Sequence, residues 1–222
     1  MKIQQDYILM ILNCERYRYK AEYQKKTWLS TLDIFYLHIL GNEDLENEYQ
    51  LELSSNTLYV KCKDDYISLA SKTYYALKAI NDLFEYKHIF KTDDDQDLTK
   101  PILFTTLKNL FLKKELHYGG KIINITQPYY SEYYKIHPEL PKDIPIYPTK
   151  YCNGRFYFLS KEAVQYLLKQ KYYIIKEYME DYAIGFHLHS EYKKNMLNIC
   201  ADDIFKDTKE ENYINILGEN YI

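Results

Sequence analysis

Asp93, Asp94 and Asp95 stand in a row directly behind the apolar run of KHIFKT, and Asp97 follows two residues later. Carboxylates this close repel one another, and burying them without partners is costly. Two readings compete for the run. It is a solvated acidic turn that caps the next helix, or its oxygens hold Mg²⁺ or Mn²⁺. Those ions commonly take one or two carboxylates together with the oxygens of a phosphate ligand. An EF-hand loop is excluded. Asp93, Asp95 and Asp97 have its first spacings, but position six is Leu98 rather than Gly and position twelve is Phe104 rather than Glu.

A second acidic pair, Glu180-Asp181, opens the segment YAIGFHLH. Acidic residues at a helix start are favoured by the macrodipole, so capping explains the pair. A carboxylate fixed there and facing a site also suits a general base. His187 and His189 diverge on a helix and read as structural. Lys72, inside a strongly periodic helix, reads as a solvated position or as a lysine facing a diphosphate. Cys14, Cys62, Cys152 and Cys200 lie far apart, without zinc-site or disulfide-scaffold spacing, and read as free thiols.

These residues need elements to hold them. YILMIL (7–12) is a continuous apolar run, the pattern of a strand covered on both faces. A helix is expected over 20–32, strands over 33–41 and 57–62, and a helix along the stripe Ile67, Ala70, Tyr74, Leu77, Ile80 and Phe84. KHIFKT (87–92) is the next strand. Helices at about 102–114 and 161–170, and one opening at Glu180-Asp181, follow. Strand alternating with helix predicts an α/β fold, a mostly parallel Rossmann-type sheet flanked by helices. Ligands of such sheets collect beyond the C-terminal strand ends, where the aspartates stand. One domain over residues 1–222 is expected, with 1–100 as a nucleotide-type half and 101–222 as the acceptor and catalytic half.

Composition narrows the partners. A formal charge of −3 argues against nucleic acid as a partner. The apolar run at the N-terminus is far shorter than the roughly 20 residues of a membrane span and too short for a signal peptide, so no membrane span is expected, and the chain is read as cytoplasmic or as a module of a longer protein. The 27 tyrosines suit half-buried strands and sugar-binding surfaces. Compositional drift explains them equally, since Lys, Asn and Ile are also plentiful.

Taken together, five segments in order resemble the β-1,3-glycosyltransferase family of β-1,3-galactosyltransferases, β-1,3-N-acetylglucosaminyltransferases and Fringe-type enzymes. They are KAEYQKKTW (20–28), with Lys20 and Lys25 where arginines are usual, DDYISLASKT (64–73), KTDDD (91–95), YPTKYCNGRFYFLS (147–160), with a single Gly154 in place of two or three glycines, and EDYAIG (180–185). The resemblance implies a GT-A-like fold, a UDP-sugar donor, a glycan or glycoconjugate acceptor, and inversion at the anomeric carbon. It places Mn²⁺ or Mg²⁺ on Asp95, with Asp93, Asp94, Lys72 and Lys91 towards the donor, and makes Asp181 the general base. The family's C-terminal histidine ligand has no counterpart, since His189 is the last histidine; Asp202 or Asp203 could replace it chemically. Two other functions remain open: a non-catalytic sugar-nucleotide or glycan binder on the same fold, and a metal-dependent phosphohydrolase.

Overall fold

The computed structural model describes residues 2–218. Met1 and residues 219–222, which the single-domain expectation also spans, lie outside the described residues. The chain opens on strands β1 (Ile3–Gln4) and β2 (Tyr7–Leu12). Ile8, Leu9, Met10 and Ile11 are fully buried. Alternation explains how: Ile8 and Met10 pack into one core and Leu9 and Ile11 into another, as a strand covered on both faces requires.

Helix α1 (Arg18–Lys26) stops earlier than the expected 20–32. The backbone leaves the helical region at Thr27 (φ −107°, ψ −108°), whose N–H and hydroxyl both bond back to the Tyr23 carbonyl, at 3.0 and 2.8 Å. The Trp28 indole then donates to the Gln96 carbonyl at 3.1 Å. Strands β3 (Phe35–Gly41) and β5 (Thr57–Val60) match expectation, but β4 (Tyr49–Glu52) between them was not foreseen. It forms a hairpin with β5, and Asn56 before β5 takes a left-handed φ of 52°, which Asn tolerates. Helix α2 (Leu69–Leu83) buries Ala70, Tyr74, Leu77 and Ile80, each large apolar side chain contributing about 2 kcal/mol. Phe84 leaves the helix for β6 (Phe84–Glu85), which pairs with β1.

Strand β7 (His88–Asp93) lies parallel to β2, with Leu12 opposite Asp93. The end of the central strand and the aspartates therefore share one sheet edge. The second half of the chain adds β8 (Gln96–Leu98), α3 (Ile102–Phe111) and β9 (Tyr118–Ile125). A small hairpin of β10 (Tyr129–Tyr130) and β11 (Pro145–Ile146) precedes β12 (Thr149–Ser160). Helices α4 (Lys161–Leu168), α5 (Lys171–Ile174) and α6 (Glu180–His187) follow, then β13 (Leu197–Asn198), β14 (Phe205–Asp207) and α7 (Glu210–Leu217). The Ser160 hydroxyl caps α4 by accepting from the Ala163 N–H at 3.2 Å.

The central sheet has eight strands in the order β13-β9-β12-β7-β2-β3-β5-β4. Strands β7, β2, β3 and β5 run parallel, while β12 is antiparallel to both β7 and β9. Both halves of the chain thus build one mixed α/β domain. Helices α2, α4 and α6 supply Leu77, Val164 and Ile184 to one core, and α3 supplies Phe104 and Leu107 to the other. Among the described residues, no helix is long and apolar enough to cross a membrane.

Helix α6 sits hard against β12 because Gly185 has no side chain. A Cβ there would lie 2.2 Å from the Tyr151 Cβ and 2.7 Å from its Cα. Gly185→Ala must therefore push α6, and Asp181 with it, off the sheet. Overpacking of this kind costs about 1–3 kcal/mol. The expected loss in melting temperature is roughly 2–12 °C, measured by differential scanning fluorimetry; an unchanged melting temperature contradicts the packing described.

Candidate active site

The site begins with strand alternation. Lys91 and Asp93, two apart on β7, project to the same face, and the Lys91 Nζ meets the Asp93 Oδ1 at 2.7 Å. Thr92 points the other way and donates to the Arg155 carbonyl at 2.8 Å. Lys91 is 1% exposed, so its ammonium must find all its partners inside the protein. It does: besides Asp93, it reaches the Glu180 Oε1 at 2.6 Å and the Gly154 carbonyl at 2.7 Å.

Gly154 is within reach because β12 bulges. Between Cys152 and Tyr157 that strand advances five residues while its partner β9 moves only from Ile122 to Gly120. Bulges of this kind re-aim residues beside sites. Here the bulge turns the Gly154 carbonyl to Lys91 and its N–H to the Asp181 Oδ2 at 2.9 Å. The other Asp181 oxygen accepts from the Tyr182 N–H at 2.7 Å in the first turn of α6. Glu180 faces inward, where its Oε2 accepts from the Tyr157 hydroxyl at 2.9 Å. Asp93 and Asp181 consequently line one cavity of about 910 Å³, with Asp94, Asp95, Lys72 and Lys91.

Burial and crowding tune these acids. Burial pushes the Asp93 carboxyl up to about 6, with Lys91 opposing and Glu180 and Asp95 adding to the rise. Asp94 is pushed up to about 7 by burial, against the pull of Lys20 at 3.5 Å. Burial also raises Asp181, opposed by Lys91 and the two N–H groups it accepts from. Glu180 is raised by burial against Lys91, with Asp181 adding to the rise. A cluster whose members resist ionisation in this way is one that a bound cation relieves.

The donor set is all oxygen. Among the described residues no group of three or more His, Cys, Asp or Glu side chains converges as an all-protein metal cage. Asp93, Asp94 and Asp95 offer oxygen donors only, the chemistry that suits a hard ion of the Mg²⁺ or Mn²⁺ type. Asp95 and Asp207 are drawn together by one side chain, since the Gln96 Nε2 donates to both, at 2.8 and 3.0 Å.

Each expected site residue lines the cavity, but the two lysines carry prior attachments. Lys72 is not solvated; it is 1% exposed, pairs with Asp64 at 2.5 Å and donates to the Asn13 carbonyl at 2.9 Å. Lys91 is held as described above. Asp202 is engaged by Lys121 and by Arg155 at 3.3 Å, and it is Asp207 rather than Asp202 or Asp203 that shares the Gln96 amide with Asp95. Strand β14 brings it there by pairing with β8, Asp207 opposite Gln96. Arg155 completes this corner, donating to the Gln96 Oε1 at 2.7 Å and pairing with Asp207 at 2.9 Å. Gln96, Arg155 and Asp207 escaped the sequence reading. Only the adjacency of Gln96 to the triplet and of Arg155 to Gly154 hinted at the first two, and nothing local marked Asp207.

A model of the family described as Galactosyltransferase matches residues 22–193. Among solved structures, the chain is similar to 4-diphosphocytidyl-2C-methyl-D-erythritol synthase from Anaerococcus prevotii, at 11% identity and a TM-score of 0.50, over 96% of this chain and 94% of that one. It is also similar to the glycosyltransferase GlyE of Streptococcus pneumoniae, at 13% identity and a TM-score of 0.45, over 90% of this chain and 46% of that one. Mouse xyloside xylosyltransferase 1 is a third, at 11% identity and a TM-score of 0.39, over 89% and 85% of the two chains. At these identities the likeness concerns the fold alone. No curated protein matches the sequence.

Proposed function

The chain belongs to the galactosyltransferase family and is a hexosyltransferase, and we propose that it moves a sugar from a UDP-sugar to a hydroxyl of a glycan or glycoconjugate acceptor, inverting the anomeric carbon. One observation carries this reading: the aspartates at the end of β7 and Asp181 at the start of α6 border the same cavity. The family suggests a β-1,3 linkage.

Asp181 acts as general base. It takes the proton of the acceptor hydroxyl as that oxygen bonds to the anomeric carbon and the bond to the departing diphosphate breaks. One carboxylate suffices, because a single displacement needs no nucleophile from the protein. The N–H groups of Gly154 and Tyr182 fix the Asp181 oxygens and so set the direction of proton transfer. Burial, which raises its affinity for a proton, serves the same step. Asp95 would hold Mn²⁺ or Mg²⁺, with Asp93 and Asp94 beside it and Asp207 tied to it through the Gln96 amide. When bound, the ion would stabilise negative charge on the leaving diphosphate. Lys72 and Lys91 act on the donor through the carboxylates they hold, Asp64 for the first and Asp93 and Glu180 for the second.

Thermal-shift titration with UDP, with and without Mn²⁺, tests the donor half of this reading. A ligand that binds only the folded protein raises the melting temperature, by free-energy increments of about 2.7 kcal/mol at a hundredfold excess over Kd. A shift that needs both UDP and Mn²⁺ and disappears in Asp95→Ala is expected. Binding without turnover for any donor would make the chain the non-catalytic binder; no shift with any nucleotide diphosphate would sink the donor site.

A further inference from the structure

We propose that Gln96 is a positioning residue for the cation site. It occupies one oxygen of Asp95, so that Asp95 meets the ion with its other oxygen alone, and this favours Mn²⁺ or Mg²⁺ over Ca²⁺. The inference rests on the reading of Asp95 as the metal-holding carboxylate and names what sets its selectivity.

Gln96 is only 4% exposed, and both ends of its amide are engaged. The Nε2 group donates to the Asp95 Oδ1 at 2.8 Å and to the Asp207 Oδ1 at 3.0 Å, while the Oε1 accepts from the Arg155 Nη1 at 2.7 Å. Charge fixes which way the amide faces. Turned over, it would set its oxygen against two carboxylates and its N–H groups against a guanidinium, which has no acceptor. Arg155 is itself tethered, to Asp207 at 2.9 Å and to Asp202 at 3.3 Å. The backbone is held as firmly. The Gln96 carbonyl accepts from the Trp28 indole at 3.1 Å and the Gln24 amide at 3.2 Å, and the Asp95 carbonyl accepts from the Thr208 N–H at 2.8 Å. The β12 bulge, β14 and α1 thus converge on Asp95 and Gln96.

The result is a carboxylate with two unlike oxygens. Asp95 is half-buried and lines the cavity. Its Oδ1 is taken by Gln96, and among the described residues no hydrogen bond or ion pair engages its Oδ2. The neighbouring cations are committed elsewhere: Lys20 to Asp94, Lys91 to Asp93 and Glu180, and Arg155 to Asp202 and Asp207. One open oxygen therefore stands beside one already bonded. Ca²⁺ gathers about six to eight oxygens, often two from one carboxylate, whereas the smaller Mg²⁺ takes single carboxylate oxygens and fills its octahedron with water and phosphate. A carboxylate held to one oxygen withholds a ligand that only the larger ion would use. Partners that orient a metal ligand in this way typically change affinity by about 10–100-fold.

The test uses the full chain with UDP present and follows Mn²⁺ binding by the electron paramagnetic resonance signal of the free ion, with Mg²⁺ and Ca²⁺ as competitors. In wild type, Ca²⁺ should compete about tenfold less well than Mg²⁺. Gln96→Met keeps the length of the side chain but cannot donate. Its Mn²⁺ affinity should fall about tenfold while Ca²⁺ binds as before or better, so the preference between the two ions narrows about tenfold. Gln96→Asn, one methylene shorter, should shift the preference in the same direction, and metal-free melting temperatures report whether either variant is folded. Equal weakening of Mn²⁺ and Ca²⁺ would make Gln96 a support of the fold alone, and unchanged affinities would make it a bystander; either overturns the proposal. So does a wild type that holds Ca²⁺ as tightly as Mn²⁺. Asp95→Ala separates the proposal from the reading beneath it. If that variant binds Mn²⁺ as wild type does, Asp95 is not the ligand and both fall. If it loses Mn²⁺ while the Gln96 variants leave the ion preference untouched, the proposal alone falls.

Discussion

Asp181→Asn is expected to lower sugar transfer by about 10²–10⁴-fold, the contribution usual for a positioned general base. The substitution removes the proton acceptor but barely changes shape. One side-chain oxygen remains to accept from either the Gly154 or the Tyr182 N–H, so one of these bonds is lost, at about 1 kcal/mol. The UDP–Mn²⁺ thermal shift should survive, because Asp93, Asp94 and Asp95 are untouched. The checking measurement is release of UDP in the presence and absence of acceptor, across pH, for wild type and variant. Acceptor-dependent release that persists undiminished in the variant would remove Asp181 from the chemistry. Loss of both release and UDP binding would instead mean that the α6 terminus shapes the donor site.

Lys91→Met carries the largest expected cost in stability. Its ammonium sits between Asp93, Glu180 and the Gly154 carbonyl with almost no access to water. Burial alone would lower its pKa, but the two carboxylates outweigh burial and raise it, keeping the charge in place. Removing one partner of a buried pair leaves an uncompensated charge, at about 3–5 kcal/mol. Most of that arises at Glu180, whose side chain is only 7% exposed, since Asp93 at 35% is partly screened by water. The melting temperature should fall by roughly 6–20 °C. Adding Glu180→Gln to Lys91→Met should return part of the loss, because the stranded anion is then gone, so the two substitutions are non-additive. A Lys91→Met chain as stable as wild type, or a double variant no better than the single, would show that the ion pair is not the tie between β7 and α6.

Much of the framework was legible along the chain. The run Tyr7–Leu12 is apolar without interruption, which only a strand covered on both faces accommodates. The helical stripe through Ala70, Tyr74, Leu77 and Ile80 set α2, and Glu180-Asp181 marked the start of α6. The aspartate run was legible for the same reason: strand followed by abrupt charge places it at a strand end. The misreadings share one cause. Lys72 looked solvated because a lysine on a helix usually is, and nothing within its own helix reveals that Asp64 and the Asn13 carbonyl await it. Strand β4 was missed because a short, half-buried edge strand has little periodicity to show.

Local pattern is enough where the determinant is local: alternation, helical period and the charge of a strand or helix end act over a few residues. The site depends on contacts between distant ones. The β12 bulge that aims Gly154 at both Lys91 and Asp181 is defined only by its pairing with β9 and β7. Asp207 meets Gln96 across a separation of 111 residues. The ring stack of Tyr66 and His137 joins the two halves of the chain. Which carboxylates come to border one cavity, which are buried there and which lysine is spent on holding them together were decided by packing, because desolvation and proximity exist only after the sheet has closed.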